Sequence, residues 1–264
     1  MSTTLDMEKD LIVGLGEIGT PILKVISNSI QAAGYDKNQI LMNKKKYNKL
    51  INHKIIFAHI CIPFTNKFVD SVLQIARQHN PMAIVIHSTI SPGTTEAIQK
   101  KLSIPVIYSA TRGVHKRMIK DLRRYTKFYS VYDWAPNSAW ASKQYEKRMK
   151  SAKIKTKKMS TPITLEIAKI VVDTSYYGWL ITYAQLSNVI AIKNKIDYDE
   201  MWSFADEIHK FLGNRPKMFP GFIGGHCVIP NLDLIKDDTL DLIKEINSDY
   251  AKILKKRQSK GKKY

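Results

Sequence analysis

The chain of 264 residues is 44% hydrophobic and carries 42 Lys and Arg against 23 Asp and Glu, a formal net charge of +19. This apolar content suffices for one large folded domain or two of ordinary size, so a folded protein is expected. No apolar run reaches the roughly 18 residues of a membrane span, and the N-terminus lacks the features of a signal peptide, so we expect a cytoplasmic protein without a membrane segment.

The first motif along the chain is a glycine-rich turn between a strand and a helix. Apolar residues 11–13 predict a strand that runs into Gly14-Leu15-Gly16-Glu17-Ile18-Gly19, and a helical pattern follows. A second predicted strand, 30–35, ends beside Asp36, which follows the turn by about 20 residues. In dinucleotide-binding folds such a turn places the pyrophosphate at the helix N-terminus, and the carboxylate accepts hydrogen bonds from the ribose hydroxyls.

This spacing predicts an NAD site at the start of the chain. The residues expected to contact the cofactor are Gly14, Gly16, Glu17, Ile18, Gly19 and Asp36. A carboxylate at Asp36 disfavours the extra phosphate of NADP. The alternative is a glycine turn that is needed only for tight packing.

Further strands alternate with amphipathic helices. Strands are predicted at 54–62, 82–87, 104–108 and 127–132, and helical patterns at 66–78 and 94–102. The alternation indicates an α/β fold of the Rossmann type, with a doubly wound parallel sheet covered on both faces. Because ligands gather at the carboxyl ends of such strands, we also expect cofactor contacts from Cys61, Pro63, Ser88 and Thr89. Cys61 lies in an apolar run, which favours a structural role for its side chain.

The organisation changes after a basic stretch at 143–158. Thr161-Pro162 has the form of an N-cap followed by proline at the first helical position. An unbroken helical pattern then runs from about 163 to 194, roughly 48 Å at 1.5 Å per residue. Two shorter helices are predicted near 198–212 and 239–256. We therefore expect two domains, an NAD-binding domain at 1–158 and a mainly helical domain at 159–264 with one long helix.

Positive charge is concentrated in residues 143–158 and in the tail at 252–264. A solvated face and a basic tail are favoured over nucleic-acid binding, which stays open as an alternative. The sequence shows neither zinc-finger spacing nor an RNP-type aromatic motif, and no metal site is expected. The excess charge is also suited to steering a small anionic substrate.

A glycine- and proline-rich loop near the C-terminus, FPGFIGGHCVIPN at 219–231, carries one of only two cysteines. Glycines let a ligand approach the main chain closely, so the loop is expected to be shaped around a ligand. Within the loop, Gly224, Gly225 and His226 are expected to contact the substrate. Cys227 follows them directly. The two cysteines lie far apart in sequence, which favours free thiols in a reducing compartment.

Taken in order, GLGEIG, STISPGTT, a helix with Glu166-Ile167-Ala168-Lys169 and PGFIGGHCVIP resemble the UDP-glucose/GDP-mannose dehydrogenase family. The resemblance covers most of the chain. It implies an NAD-dependent enzyme that oxidises the C6 hydroxyl of a nucleotide sugar to a carboxylate in two hydride transfers. It also implies a homodimer formed through the long helix.

By the same resemblance, Cys227 attacks the intermediate aldehyde, Lys169 is the cation that favours the thiolate, and Thr89 lies beside the nicotinamide. A thiolate makes the aldehyde tetrahedral, and loss of hydride then leaves a thioester that water hydrolyses. Each residue has a plainer alternative. Cys227 could be a small buried hydrophobe, Lys169 an exposed helix lysine and Thr89 a turn residue.

The chain departs from the family at several positions. The family usually has an asparagine four residues after the lysine and an aspartate four residues after the cysteine, whereas this chain has Asp173 and Asn231. We hypothesise that the two changes form a charge-conserving exchange. Two family glutamates are replaced in a segment that contains Arg112 and His115, which indicates a more anionic substrate. His115 is either a base near neutral pH or a plain surface histidine.

The sequence also stops before the third, nucleotide-binding domain of the family. Three functions therefore stay open. The first is an NAD-dependent dehydrogenase of this family that acts on a nucleotide sugar or another anionic metabolite. The second is a β-hydroxyacid-type dehydrogenase or reductase that makes one hydride transfer and does not need Cys227. The third is a non-catalytic protein that binds NAD or a polyanion.

Overall fold

The computed structural model describes residues 8–51, 53–212, 220–234, 236 and 238–258. The N-terminal residues 1–7, Phe219 of the loop and the end of the basic tail at 259–264 lie outside the described residues. The described chain folds as two compact units, which divide between Lys169 and Ile170. We call them the sheet unit, up to Lys169, and the helical unit, from Ile170 onward.

A seven-stranded sheet forms the centre of the sheet unit, with strands in the order β2-β1-β3-β4-β5-β6-β7. The strands are β1 Glu8–Val13, β2 Ala32–Tyr35, β3 Lys54–Ile60, β4 Ala83–Ile86, β5 Val106–Tyr108, β6 Lys127–Val131 and β7 Thr156–Lys158. The helices that connect them are α1 Gly19–Ile26, α2 Lys44–Ile51, α3 Phe68–His79, α4 Thr94–Gln99, α5 Met118–Arg124 and α6 Ser138–Ser151. The predicted Rossmann-type fold is confirmed.

One strand direction differs from the prediction of a wholly parallel sheet. β5 and β6 are antiparallel, with Tyr108 opposite Ser130, whereas the other neighbouring strands are parallel. Alternation of strands and helices predicts the layers of the fold, but it does not determine the direction of each strand. Because β6 is antiparallel to β5, its first residue, Lys127, lies beside the carboxyl ends of β3, β4 and β5.

Both faces of the sheet are buried, as expected for strands covered by helices on two sides. Successive residues of β1 point to opposite faces, so Leu11 packs in one apolar cluster and Ile12 in the other. Phe57 and Tyr145 belong to the cluster that contains Ile12. The central strands are therefore mostly apolar, although β1 and β3 also contain the buried polar residues Asp10 and His59. Polar groups are also presented at the carboxyl ends of these strands.

The long helix begins as predicted but is not an unbroken α-helix. Thr161 accepts a hydrogen bond from the backbone N–H of Thr164, and Pro162 occupies the first turn. α7 (Pro162–Ala168) is followed by a π-helical segment, Lys169–Ser175, and by α8 (Tyr176–Asn194). The π segment is rich in β-branched residues, which weaken the α-helical preference, and the Ser175 hydroxyl donates to the carbonyl of Ile170. Such segments often lie at functional sites.

The helical unit contains α8, α9 (Tyr198–Leu212), α10 (Ile229–Leu232) and α11 (Asp238–Gln258). Its small apolar core consists of Ile223, Val228, Leu232, Leu240 and Ile243. Both predicted shorter helices are present in it. Within the described ranges, no helix combines the length and apolarity needed to cross a bilayer.

Candidate functional site

Close packing requires two of the three motif glycines. Gly14 adopts a positive φ of 88°, and a Cβ there would lie 2.9 Å from the backbone carbonyl of Cys61. A Cβ on Gly19 would lie only 1.7 Å from the carbonyl oxygen of Gly14. Gly16 differs, because a Cβ there would meet no atom within 4 Å. Tight packing therefore accounts for the first and last glycines but not for the middle one.

The carboxylate of Asp36 lies directly beside the glycine turn. Its Oδ2 accepts a 2.6 Å hydrogen bond from the backbone N–H of Leu15, and its Oδ1 accepts one of 2.7 Å from the N–H of Asn38. No side chain caps the N-terminus of α1 among the described residues. An uncapped helix start, open space at Gly16 and a carboxylate beside the turn fit the pyrophosphate and ribose of NAD.

The other predicted cofactor residues lie where β3 and β4 end. The backbone N–H of Cys61 donates to Val13 O at 2.8 Å, and the Ser88 hydroxyl donates to Ile62 O. In the loops that follow, Pro63 is exposed and Thr89 is half-buried. Burial raises the pKa of the Cys61 thiol to about 12, so this cysteine stays protonated at neutral pH.

Glu166 fixes the segment that contains Thr89, a role that the sequence reasoning missed. Its carboxylate is buried and accepts hydrogen bonds from the backbone N–H groups of Gly93 at 2.6 Å and Thr95 at 2.9 Å, and from the Thr95 hydroxyl. Burial raises the pKa of Glu166, and the hydrogen bonds from Thr95 and Gly93 oppose that rise. A glutamate on the inward face of α7 was the signal that could have revealed it.

Two residues predicted for different roles meet in the sheet unit. Nδ1 of His115, in the segment before α5, lies 2.7 Å from Oε2 of Glu17 in the glycine turn. The proposed substrate segment and the cofactor turn are therefore in direct contact. Arg112, from the same segment, donates from Nη2 to Thr126 O at 2.7 Å, and its Cζ lies 5.0 Å from the centroid of the Phe128 ring.

A buried lysine, Lys127, lies beside the carboxyl ends of β3, β4 and β5. The sequence reasoning did not identify it. Nζ of Lys127 donates to Ser109 O at 3.0 Å, Ala110 O at 3.3 Å and Thr111 Oγ1 at 3.2 Å. The pKa of Lys127 is lowered from 10.5 to about 7, chiefly by burial; Cys61 opposes this change, and the positive charges of Arg112 and Lys169 add to it. Its signal in the sequence is a charged residue at the start of an apolar strand.

The carbonyl of Ser109 joins Lys127 to a chain of polar groups inside the unit. Nδ1 of His87 lies 3.1 Å from that carbonyl, and Nε2 of His87 lies 2.8 Å from Nδ1 of His59. Nε2 of His59 is 3.5 Å from Asp10, which pairs with Arg148 at 3.1 Å. Burial and the charge of Lys127 lower the pKa of His87 well below its usual range, so His87 is neutral. The chain holds the ends of β3, β4 and β5 in register.

We predict that Lys127→Met removes a pH-dependent contribution to stability. The unfolded chain holds the lysine proton up to about pH 10.5, whereas the folded protein releases it near pH 7, so wild-type stability rises with pH between these values. The charged form therefore destabilises the fold below pH 7, on the order of a few kcal/mol. Urea unfolding at several pH values checks this, with exposed Lys120→Met as the control; a variant whose stability changes with pH as in wild type would contradict it.

The glycine-rich loop of the helical unit is anchored by two helices. Asn247 of α11 accepts from the N–H of Ile223 at 2.8 Å and donates to its carbonyl at 3.0 Å. Gln185 of α8 donates to Gly221 O at 2.7 Å, and the Tyr250 hydroxyl donates to Pro220 O at 2.7 Å. Sequence reasoning missed these anchors, because an asparagine or glutamine on a helix gives no local signal of its distant partner.

The anchored loop presents its predicted residues to solvent. Gly224, Gly225, His226 and Cys227 are exposed, and Gly225 takes a positive φ of 74°. The alternative of Cys227 as a small buried hydrophobe is therefore wrong. Asn231 lies half-buried in α10, and Asp173 lies half-buried in the π segment. Lys169, the last residue of the sheet unit, is half-buried rather than an exposed helix lysine.

We predict that Asn247→Ala destabilises the protein by about 1–3 kcal/mol, because two backbone groups of Ile223 lose their buried partner. The rate at which iodoacetamide alkylates Cys227 should change several-fold, since the loop is no longer fixed. Ser248→Ala, on the exposed face of the same helix, is the matched control. Unchanged stability and alkylation in Asn247→Ala would contradict the anchoring role.

A scan against protein-family models and a search of curated proteins give no match. Solved structures do match. UDP-D-ManNAc dehydrogenase from Pyrococcus horikoshii is similar with a TM-score of 0.77 and 18% identity, over 96% of this chain and 72% of that chain. UDP-N-acetyl-mannosamine dehydrogenase from Staphylococcus aureus gives a TM-score of 0.67 at 18% identity, over 96% and 70% of the two chains.

A smaller enzyme is also similar. Mycobacterium tuberculosis 3-hydroxyisobutyrate dehydrogenase matches with a TM-score of 0.64 and 14% identity, over 96% of this chain and 94% of that chain. At these identities the comparisons establish the fold. Over nearly its whole length, this chain has the fold of the UDP-sugar dehydrogenases that its sequence resembles.

Proposed function

We propose that the protein is an NAD-dependent dehydrogenase that oxidises an alcohol on a nucleotide sugar or another small anionic metabolite. The observation that carries the proposal is the glycine turn, with Asp36 hydrogen-bonded to the N–H of Leu15 and open space at Gly16. Similar solved structures named as UDP-sugar dehydrogenases support the substrate class. The net charge of +19 favours attraction of an anionic substrate.

The sheet unit would hold the cofactor. Backbone N–H groups at the start of α1 would bind the pyrophosphate, and Asp36 would accept from the ribose hydroxyls. When bound, NAD supplies the hydride acceptor. Glu166 keeps the Thr89 segment in place through Gly93 and Thr95, which fixes one wall of the site.

Cys227 is the proposed nucleophile of the second oxidation. In the thiolate form its Sγ adds to the carbonyl carbon of the aldehyde, and the carbonyl electron pair becomes an alkoxide. The ammonium of Lys169 is proposed to stabilise this alkoxide. The adduct would lose its hydride to a second NAD and become a thioester, and attack by water would then release the carboxylate and restore the thiol. Thr89 is proposed to orient the hydroxyl or water that loses a proton.

A simpler reaction is favoured by one specific observation. The fold is similar to that of 3-hydroxyisobutyrate dehydrogenase from Mycobacterium tuberculosis over 96% of this chain and 94% of that chain. In that reading the substrate is a small hydroxyacid, Lys169 assists a single hydride transfer, and Cys227 is not needed. The number of NADH molecules formed per substrate separates the two functions.

We predict that Asp173 and Asn231 are functionally coupled. Asp173→Asn alone should lower kcat about tenfold, because it removes the carboxylate proposed to pair with the catalytic lysine. The double variant with Asn231→Asp should recover part of that loss, since the carboxylate returns at the second position. A double-mutant cycle of kcat measures the coupling. Simple additivity of the two changes would exclude the charge-conserving exchange.

The protein is also proposed to act as a homodimer through the long helix. α8 exposes several large apolar side chains, and a second copy of the same helix would cover them. They include Tyr176, Tyr177, Tyr183, Leu186 and Ile190. Light scattering should give twice the 30.2 kDa of one chain, and a monomer at micromolar concentration would refute the dimer.

A further inference from the structure

Two cationic side chains of the sheet unit have no carboxylate partner in the part of the chain that the structure describes. Lys127 is only 6% exposed, and its three acceptors are two backbone carbonyls and a hydroxyl. Arg112 makes one hydrogen bond, to the carbonyl of Thr126. Burying a charge without a counter-ion costs free energy of folding, so the buried ammonium of Lys127 needs an explanation.

The carboxylate of Asp121 lines the same small cavity as Lys127 and Arg112, but it is paired with Arg117 and accepts from the N–H of Val114. The remaining titratable groups near Lys127 do not supply a negative charge. Cys61, after β3, stays a neutral thiol because burial raises its pKa to about 12. His87, after β4, is neutral because burial lowers its pKa. Lys169 and Arg112 are cations whose charges act against that of Lys127. This edge of the sheet therefore has an excess of positive charge.

Arg112 contacts the two residues on either side of Lys127, Thr126 and Phe128. The ammonium binds all three residues that precede the arginine, from Ser109 to Thr111. Cζ of Arg112 lies 5.0 Å from the centroid of the Phe128 ring, a cation–π contact. A guanidinium has five N–H groups, and one of them binds Thr126, so within the described ranges the rest are available for an oxyanion.

We propose that Arg112 and Lys127 form a subsite for an oxyanion, a carboxylate or a phosphate, carried by the substrate. Arg112 binds the oxyanion directly through its N–H groups. Lys127 is a positioning residue, which fixes the segment before Arg112 and adds positive charge from beneath it. The proposal rests on the proposed function for the identity of the ligand as a substrate.

The affinity of the subsite for an oxyanion should depend on pH. A bound oxyanion favours the ammonium form of Lys127, so binding raises the pKa of this lysine above its value of about 7. By the same linkage, the oxyanion binds best below that pH, and its affinity falls as the pH rises above it.

The test measures the pKa of Lys127 directly, by NMR of protein labelled with carbon-13 at the lysine ε position. The signal of Lys127 is identified by its loss in Lys127→Met. Titrations are recorded with sulfate as a phosphate-like probe, with oxalate as a carboxylate probe, and with chloride at matched ionic strength. We expect one of the two probes to raise the pKa by about half a unit to one unit, a three- to tenfold change in proton affinity. Arg112→Gln should abolish the rise.

The identity of the effective probe assigns the group, since sulfate alone indicates a phosphate and oxalate alone a carboxylate. A rise with both supports a subsite for either. No rise with either probe overturns the proposal, and so does a rise that persists in Arg112→Gln. The measurement needs no turnover, so failure of the subsite is distinguishable from absence of dehydrogenase activity.

Discussion

Replacing Cys227 by serine is expected to lower turnover of a nucleotide-sugar substrate by about a thousandfold or more. A hydroxyl does not ionise near neutral pH as a thiol does, so the aldehyde would not be converted into a thioester. In the proposed route the first oxidation does not need the thiol. The variant should therefore form one NADH per enzyme-bound sugar and then stall, which single-turnover measurement of NADH absorbance would detect.

Cys61→Ala is the matched control for this experiment. Cys61 is the other cysteine of the chain, and burial keeps it as a neutral thiol with a pKa of about 12. Turnover of Cys61→Ala should stay within about twofold of wild type, because an inert thiol takes no part in the reaction. Full formation of two NADH by Cys227→Ser would contradict the thioester route. One NADH per substrate in both wild type and Cys227→Ser would favour the hydroxyacid reaction.

Gly19→Ala is expected to destabilise the fold by about 3 kcal/mol or more, at or beyond the upper end of ordinary overpacking costs. The added Cβ would lie 1.7 Å from the carbonyl oxygen of Gly14, a backbone atom that has no rotamer with which to move away. The start of α1 and the glycine turn would therefore have to separate. Thermal unfolding measures the loss, and a melting temperature equal to that of wild type would contradict the close packing.

Gly16→Ala should behave in the opposite way. A Cβ at this position meets nothing within 4 Å, so stability should change by less than about 1 kcal/mol. The affinity for NAD should nevertheless fall about tenfold or more, since the methyl group enters the space that the pyrophosphate needs. Calorimetric titration with NAD provides the measurement. A stable Gly16→Ala variant that binds NAD as tightly as wild type would argue against a cofactor site at this turn.

Local patterns in the sequence were enough to predict the glycine turn and the start of the long helix. The glycine turn, the strand before Asp36 and the N-cap at Thr161 depend on residues close together in the chain, so their geometry follows from spacing and conformational preference. Alternation of strands and helices likewise predicted the layers of the sheet unit. The π segment was missed, because the residues from Lys169 to Ser175 continue the helical pattern of their neighbours.

The features that sequence reasoning missed depend on partners far along the chain. Glu166 binds backbone groups about seventy residues away, and Lys127 reaches Ser109 only because β6 runs antiparallel to β5. Asn247 recognises the backbone of Ile223 and not its side chain, so no residue pattern marks the contact. Buried polar groups of this kind are satisfied by tertiary structure, and a single sequence does not specify which partner each will have.

The most direct test of the central claim is NADH formation by the purified protein from NAD and a panel of nucleotide sugars, sugar phosphates and hydroxyacids, followed by absorbance. Turnover is expected with an anionic substrate, with two NADH per nucleotide sugar. Absence of NAD binding, or NAD binding without turnover of any member of the panel, would contradict the assignment as a dehydrogenase of these substrates.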